Sequence, residues 1–141
     1  MKNLTAIALF VAAGIATAGS ALAQDHKVTA NVPFNFTVNG RTLPAGHYTI
    51  GNDSSSPRTL TISDREKGVA VMAITVPDYR ASADNKLVFH RYAGQYFLSE
   101  IRTTNESMTC HLPTSKQEKW AKAQTQEASV RDNHDVLIAL N

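Results

Sequence analysis

From Val28 onward the chain alternates apolar and polar residues with a period of two. Val28, Ala30, Val32, Phe34, Phe36 and Val38 fall on one side of an extended backbone, with Asn31, Asn35 and Thr37 opposite. That is the pattern of a half-buried β-strand, because successive side chains of an extended chain point to opposite faces. Asn39-Gly40 supplies two residues that enter the left-handed region readily. Pro44-Ala45-Gly46 makes a second turn before Tyr48 and Ile50 resume the alternation. The stretch Val32 to Ile50 therefore predicts two strands around paired turns, and the rest of the domain is organised on them.

The polar run Gly51 to Pro57 ends the second strand. Arg58 to Ser63 and Val69 to Val76, separated by Asp64-Arg65-Glu66-Lys67-Gly68, read as a hairpin with Gly68 at a left-handed position. Val69 to Val76 is apolar on both faces, which predicts a central strand or one covered by a helix. Pro77 to Asn85 reads as a loop, with Tyr79 packing back as its anchor. Lys86 to Arg91, a turn at Tyr92-Ala93-Gly94, Gln95 to Arg102 and Met108 to Leu112 then predict an antiparallel meander. Leu87 and Phe89 share one face of its first strand, Phe97 and Ile101 one face of its second.

The period changes after Pro113. Ser115 followed by Glu118 fits a capping box, and Glu118 and Lys122 stand one turn apart in the favourable charge order. A helix is predicted over about 115–128, docking through Trp120, Ala123 and Ala128. Asp135 to Leu140 is a final strand, over about 135–140, that carries the chain end into the core. Seven to nine strands with one late helix predict a mainly β fold: a small antiparallel β-sandwich or a partly closed β-barrel with one C-terminal helix.

The first residues read differently. Lys2, a mostly apolar run from Leu4 to Ile15 and Ala21-Leu22-Ala23 fit a secretory signal peptide over 1–23, cut before Gln24. The apolar run is shorter than the roughly 20 residues a spanning helix needs. The expectation is one β-rich domain over 24–141, periplasmic or secreted, with no transmembrane span after processing. Removing Lys2 leaves thirteen basic and twelve acidic side chains, a net charge of +1, scattered singly. That balance argues against a nucleic-acid partner. Cys110 is the one cysteine, so no intrachain disulfide forms, and its alternation with Met108 and Leu112 predicts a small buried side chain.

No motif carries catalysis, cofactor binding or metal binding. The histidines 26, 47, 90, 111 and 134 form no short ligand motif, although His90 and His111 converge if their strands share a sheet with the right spacing. Cys110 and His111 are adjacent on a strand and so point to opposite faces, which argues against a thiol–imidazole pair. The remaining candidate chemistry is a binding surface built from Tyr79, Tyr92, Tyr96, Trp120, His90 and His111, for a sugar or a protein.

The blocks Val32-Pro33-Phe34, Leu43-Pro44-Ala45-Gly46 and Phe89-His90-Arg91-Tyr92, in that order, resemble a group of small uncharacterised exported proteins of Acidobacteria and related soil bacteria. The resemblance spans most of the mature domain and implies bacterial export and a shared fold. It supplies no activity, cofactor or site residue. The functional expectation is a non-catalytic binding or envelope-associated structural module acting on an envelope or extracellular ligand or protein. The alternative is an extracytoplasmic hydrolase with a loop-borne active site.

Overall fold

A computed structural model describes residues 26–53, 55–127 and 135–141. The leader expected over 1–23 and Ala128 lie outside the described residues. The described chain forms eleven strands, a short 3-10 turn and one helix. The count exceeds the seven to nine read from periodicity because several strands have only two or three residues, too few to show a period.

The first alternating face is split between two sheets. β1 (His26–Val32) ends at Pro33, and β2 (Phe36–Val38) resumes in a different sheet. Parity survives the crossing: Ala30, Val32, Phe36 and Val38 all enter one core, and Phe34 packs against it. Asn39 (φ 49°) and Gly40 (φ 76°) close the hairpin from β2 to β3 (Arg41–Leu43), both in the left-handed region that a two-residue turn requires. β4 (Gly46–Asp53) then returns to the first sheet. At this corner the Tyr48 hydroxyl donates to the Pro44 carbonyl at 2.5 Å.

β5 (Ser56–Asp64) and β6 (Val69–Ile74) form the expected hairpin, with Gly68 at φ 62°. The buried Asp64 carboxylate accepts from the amides of Glu66 and Lys67 and so holds the turn. Lys67 Nζ donates to the Ala45 carbonyl, and a Cβ on Gly46 would collide with the other Asp64 oxygen. The turn is thereby pinned to the β3–β4 corner, and glycine is required at 46 by close approach.

Strands β1, β4, β5 and β6 make a four-stranded antiparallel sheet in the order β1-β4-β5-β6. The second sheet contains β7 (Val76–Pro77), β8 (Lys86–Tyr92), β9 (Gln95–Arg102), β10 (Cys110–His111) and β11 (Asp135–Ala139) in the order β11-β8-β9-β10-β7, with β2 parallel beside β9 and β3 paired to β2. The expected meander is β8-β9-β10. The sheets curl around one core into a partly closed barrel. Thr29 and Asn141 exchange backbone hydrogen bonds of 3.0 and 2.9 Å across one seam. At the other, the chain passes from β6 to β7 through Thr75, whose amide donates to Arg58 at 2.7 Å.

Three expectations about faces are corrected. Phe97 and Ile101 do not share a face. A bulge pairs Val88 with Glu100 but Phe89 with Leu98, so Ser99 is the extra residue and side-chain parity inverts. Leu98 and Ile101 therefore enter the barrel core, while Phe97 joins Tyr92 and Ala121 outside it. β6 is an edge strand, not a central or helix-covered one, and its outer side chains are exposed. Tyr79 does not anchor its loop: it is 68% exposed, at φ 52°.

The helix, α1 (Lys116–Glu127), begins as read. Ser115 Oγ accepts from the Glu118 amide at 3.1 Å. The reciprocal arm of the capping box does not close, because the Glu118 carboxylate turns to His90 Nδ1 at 2.8 Å. The docked face is Glu118, Ala121 and Thr125. Trp120 is 72% exposed and Ala123 is exposed, which overturns docking through those two residues. Tyr92 and Phe97 already fill the layer beneath the helix, so small Ala121 takes the contact. Trp120 lies about 100° around the helix from it. The final strand pairs with β8, and Leu140 is buried as expected.

Candidate functional site

The six residues read as one binding surface are distributed over the molecule. Tyr92 is buried under α1, with its ring 6.3 Å from Phe97. Tyr96 is half-buried, stacked on Phe34 at 4.0 Å, with the Arg91 guanidinium 5.8 Å from its ring centre. Trp120 stands on the solvent side of the helix and Tyr79 on the loop after β7. His90 and His111 lie on strands either side of β9, opposite Phe97 and Glu100 respectively, and do not converge. Among the described residues no group of three or more His, Cys, Asp or Glu is placed to hold a metal ion.

His90 is held between two carboxylates. Its Nδ1 lies 2.8 Å from Glu118 and its Nε2 3.9 Å from Asp135 on β11. Burial, then the charges of Glu118 and Asp135, push the Tyr92 phenol above its ordinary range. The Glu118 side chain is only 7% exposed, so the pair sits inside the contact between helix and sheet and ties α1 to β8. Trp120 contributes no such contact. Trp120→Ala is expected to move the unfolding free energy by no more than about 0.5 kcal/mol, as for other exposed positions. Chemical unfolding of the variant measures this directly.

A polar cleft of about 290 Å³ opens between the loop after β7 and the outer face of β9 and β10. Asp78, Arg80, Ser82, Glu100, Arg102 and His111 line it. The loop is fixed at two points: Asp78 N donates to Thr109 O at 3.0 Å and Ser82 N to Thr103 O at 2.8 Å. Inside the cleft Arg102 Nε donates to Glu100 at 2.7 Å, and that bond raises the Arg102 pKa further. Glu100 is thus engaged by a cation on its own strand, with His111 beside it in register.

Cys110 faces the core as its alternation required. Burial pushes its thiol up to about 11, against a smaller lowering from a hydrogen bond with Thr75. In the unfolded chain a thiol ionises near pH 8.5. The stabilisation is therefore complete below that pH and is lost as pH rises toward 11. The loss reaches about 3 kcal/mol. Urea unfolding across that window should show the decline in the wild type and a shallower one in Cys110→Ala. The Tyr48 and Tyr92 phenols, also raised by burial, remain in both.

The remaining surface feature is the β6 edge. Met72 is 64% exposed and Ile74 72%, and they follow Ala70 along its outer face, while Val76 beyond them belongs to β7 and pairs with His111. On the neighbouring strand β5 the cross-strand partners of Ala70, Met72 and Ile74 are Ser63, Thr61 and Thr59. The apolar row therefore stands at the margin of a polar face. Ala73, Ile74, Leu112, Pro113 and Asn39 border a cavity of about 110 Å³ beyond one end of it. The apolar character of this strand is legible in the sequence, where it predicts burial on both faces. Nothing local distinguishes an apolar edge from an apolar centre.

No helix among the described residues is long and apolar enough to cross a membrane. No family model, curated protein or solved structure matches the chain.

Proposed function

We propose that the chain is a non-catalytic binding or envelope-associated structural module of the periplasm or the extracellular medium, and that it makes its contacts through the β6 edge. The observation that carries this reading is the row Ala70, Met72 and Ile74, apolar and exposed on a strand that pairs on one side only. An unpaired strand edge is a template for another chain. The leader-like residues 1–23 and the resemblance to exported proteins of Acidobacteria supply the compartment in this proposal.

The test is capture from native envelopes by the exported protein, compared with Met72→Lys and Trp120→Ala. Retention that depends on Met72 and not on Trp120 supports the edge, and the converse moves the contact surface to the helix. Intact mass should place Gln24 at the amino terminus; retention of residues 1–23 would reopen the question of a membrane anchor.

The second reading is an extracytoplasmic hydrolase, favoured by the His90 imidazole lying between Glu118 and Asp135. Ester, peptide or glycoside hydrolysis that is lost in His90→Gln, with folding retained, would establish it over the binding reading.

A further inference from the structure

Each other sheet margin carries a feature that discourages pairing with a further strand. β1 is joined across its seam by the Thr29–Asn141 bonds. β7 is two residues long and contains Pro77. β11 begins with Asp135, pairs with β8 on one side and runs on into the Thr29–Asn141 seam, and β3, paired with β2 alone, is three residues long and begins with Arg41. Charge, proline, shortness and covering are the devices by which folded proteins avoid edge-to-edge pairing. From Val69 to Val76 there is no charged residue and no proline, and β6 pairs with β5 alone.

The hydrogen-bonding direction follows from the register. Thr75 N donates to Arg58 O, continuing the ladder in which Ala73 faces Leu60 and Val71 faces Ile62. Paired and unpaired positions alternate along an antiparallel ladder, so Ala70, Met72 and Ile74 turn their N–H and C=O groups away from β5. These are the same residues whose side chains lie on the outer face. One short row thus offers both free backbone groups and exposed apolar side chains.

We infer that the occupant of this edge is a second copy of the same strand, paired antiparallel about a two-fold axis at Met72. This rests on the reading of β6 as the contact edge and names its partner. In that register Met72 faces Met72 of the other copy, and Ala70 faces Ile74 in both directions. Every pair joins residues whose backbone groups point to the edge. The small side chain meets the branched one, and two flexible thioethers meet at the centre, where they adapt to each other. The segment is uncharged, so two copies meet without like-charge repulsion. An isologous pair closes on itself and leaves no further β6 edge to recruit a third copy. The contact covers one short strand, less than the roughly 1,600 Å² of a standard stable interface, which makes the association concentration-dependent.

Sedimentation equilibrium of the processed full-length protein, from about 1 µM to several hundred µM, is expected to show the mass rising from one chain to two. Met72→Lys should weaken the association at least tenfold, with its melting temperature unchanged because the side chain is exposed. Register is tested by oxidation. Paired Cα atoms about 5.5 Å apart lie within disulfide range, so Met72→Cys should cross-link. Ile74→Cys should not, because the two 74 positions are about 13 Å apart along the strands; the buried native Cys110 stays out of reach. One-chain mass at the highest concentration overturns the inference. So does cross-linking at 74 in preference to 72. If the chain is monomeric but envelope capture still depends on Met72, the second copy is excluded while the edge remains the binding surface.

Discussion

Truncating Phe89 to alanine is expected to lower the unfolding free energy by about 3–5 kcal/mol. The ring is fully buried and packs edge-on against Phe34 at 5.1 Å and Phe36 at 5.4 Å, with Phe36 in turn against Tyr48 at 5.1 Å. Phe36 and Phe89 belong to the seven-stranded sheet and Tyr48 to the four-stranded one, so this cluster joins the two halves of the barrel. Removing its central ring loses transfer energy and leaves a cavity that surrounding rings, each held by its own strand, cannot collapse to fill. With no disulfide to restrain the unfolded chain, the loss falls on a total stability of about 5–15 kcal/mol. Urea unfolding beside Leu137→Ala, an exposed control on β11, decides the matter. Equal midpoints for the two variants would show that the barrel does not depend on the aromatic cluster.

Replacing His90 by alanine is expected to cost about 2–3 kcal/mol and to loosen the helix. The substitution leaves the Glu118 carboxylate enclosed without its partner, which for a fully buried pair costs about 3–5 kcal/mol. His90 is part-exposed, so water reaching the gap reduces the loss. Glu118→Ala removes the enclosed charge itself and should cost less than His90→Ala. Both should exceed Trp120→Ala, reversing the order that a helix docked through its tryptophan requires. A double-mutant cycle on His90 and Glu118 isolates the coupling. A coupling indistinguishable from zero would mean that Ala121 and Thr125 hold the helix without the His90–Glu118 contact.

Turns and caps were legible because their chemistry is local. Asn39-Gly40, Gly68 and Ala93-Gly94 all adopt positive φ where the chain reverses, and Ser115 accepts from the Glu118 amide at the predicted helix start. The opposite facing of Cys110 and His111 followed from the pleat alone. Candidate sites were less legible. The tyrosines and histidines were grouped by their chemical character, and the strands then dispersed them. Tyr92 went under the helix, Tyr96 onto Phe34, and His111 into a cleft with Glu100 two strands away from His90.

By itself, the sequence determined most of the longer extended segments, the tight turns at Asn39-Gly40, Gly68 and Ala93-Gly94, where the helix begins and that one thiol is buried, since each depends on covalent geometry and neighbours a few residues away. Tertiary structure alone decided the parity change at Ser99, the choice of Ala121 over Trp120 as the helix contact, and the position of β6 at an edge. Those outcomes depend on what lies across a ladder or beneath a helix: an unopposed residue inverts every later side chain, and a filled aromatic layer admits only a methyl group. An apolar strand buries its second face only if another element arrives to cover it, and in this fold the helix arrives over β8 instead.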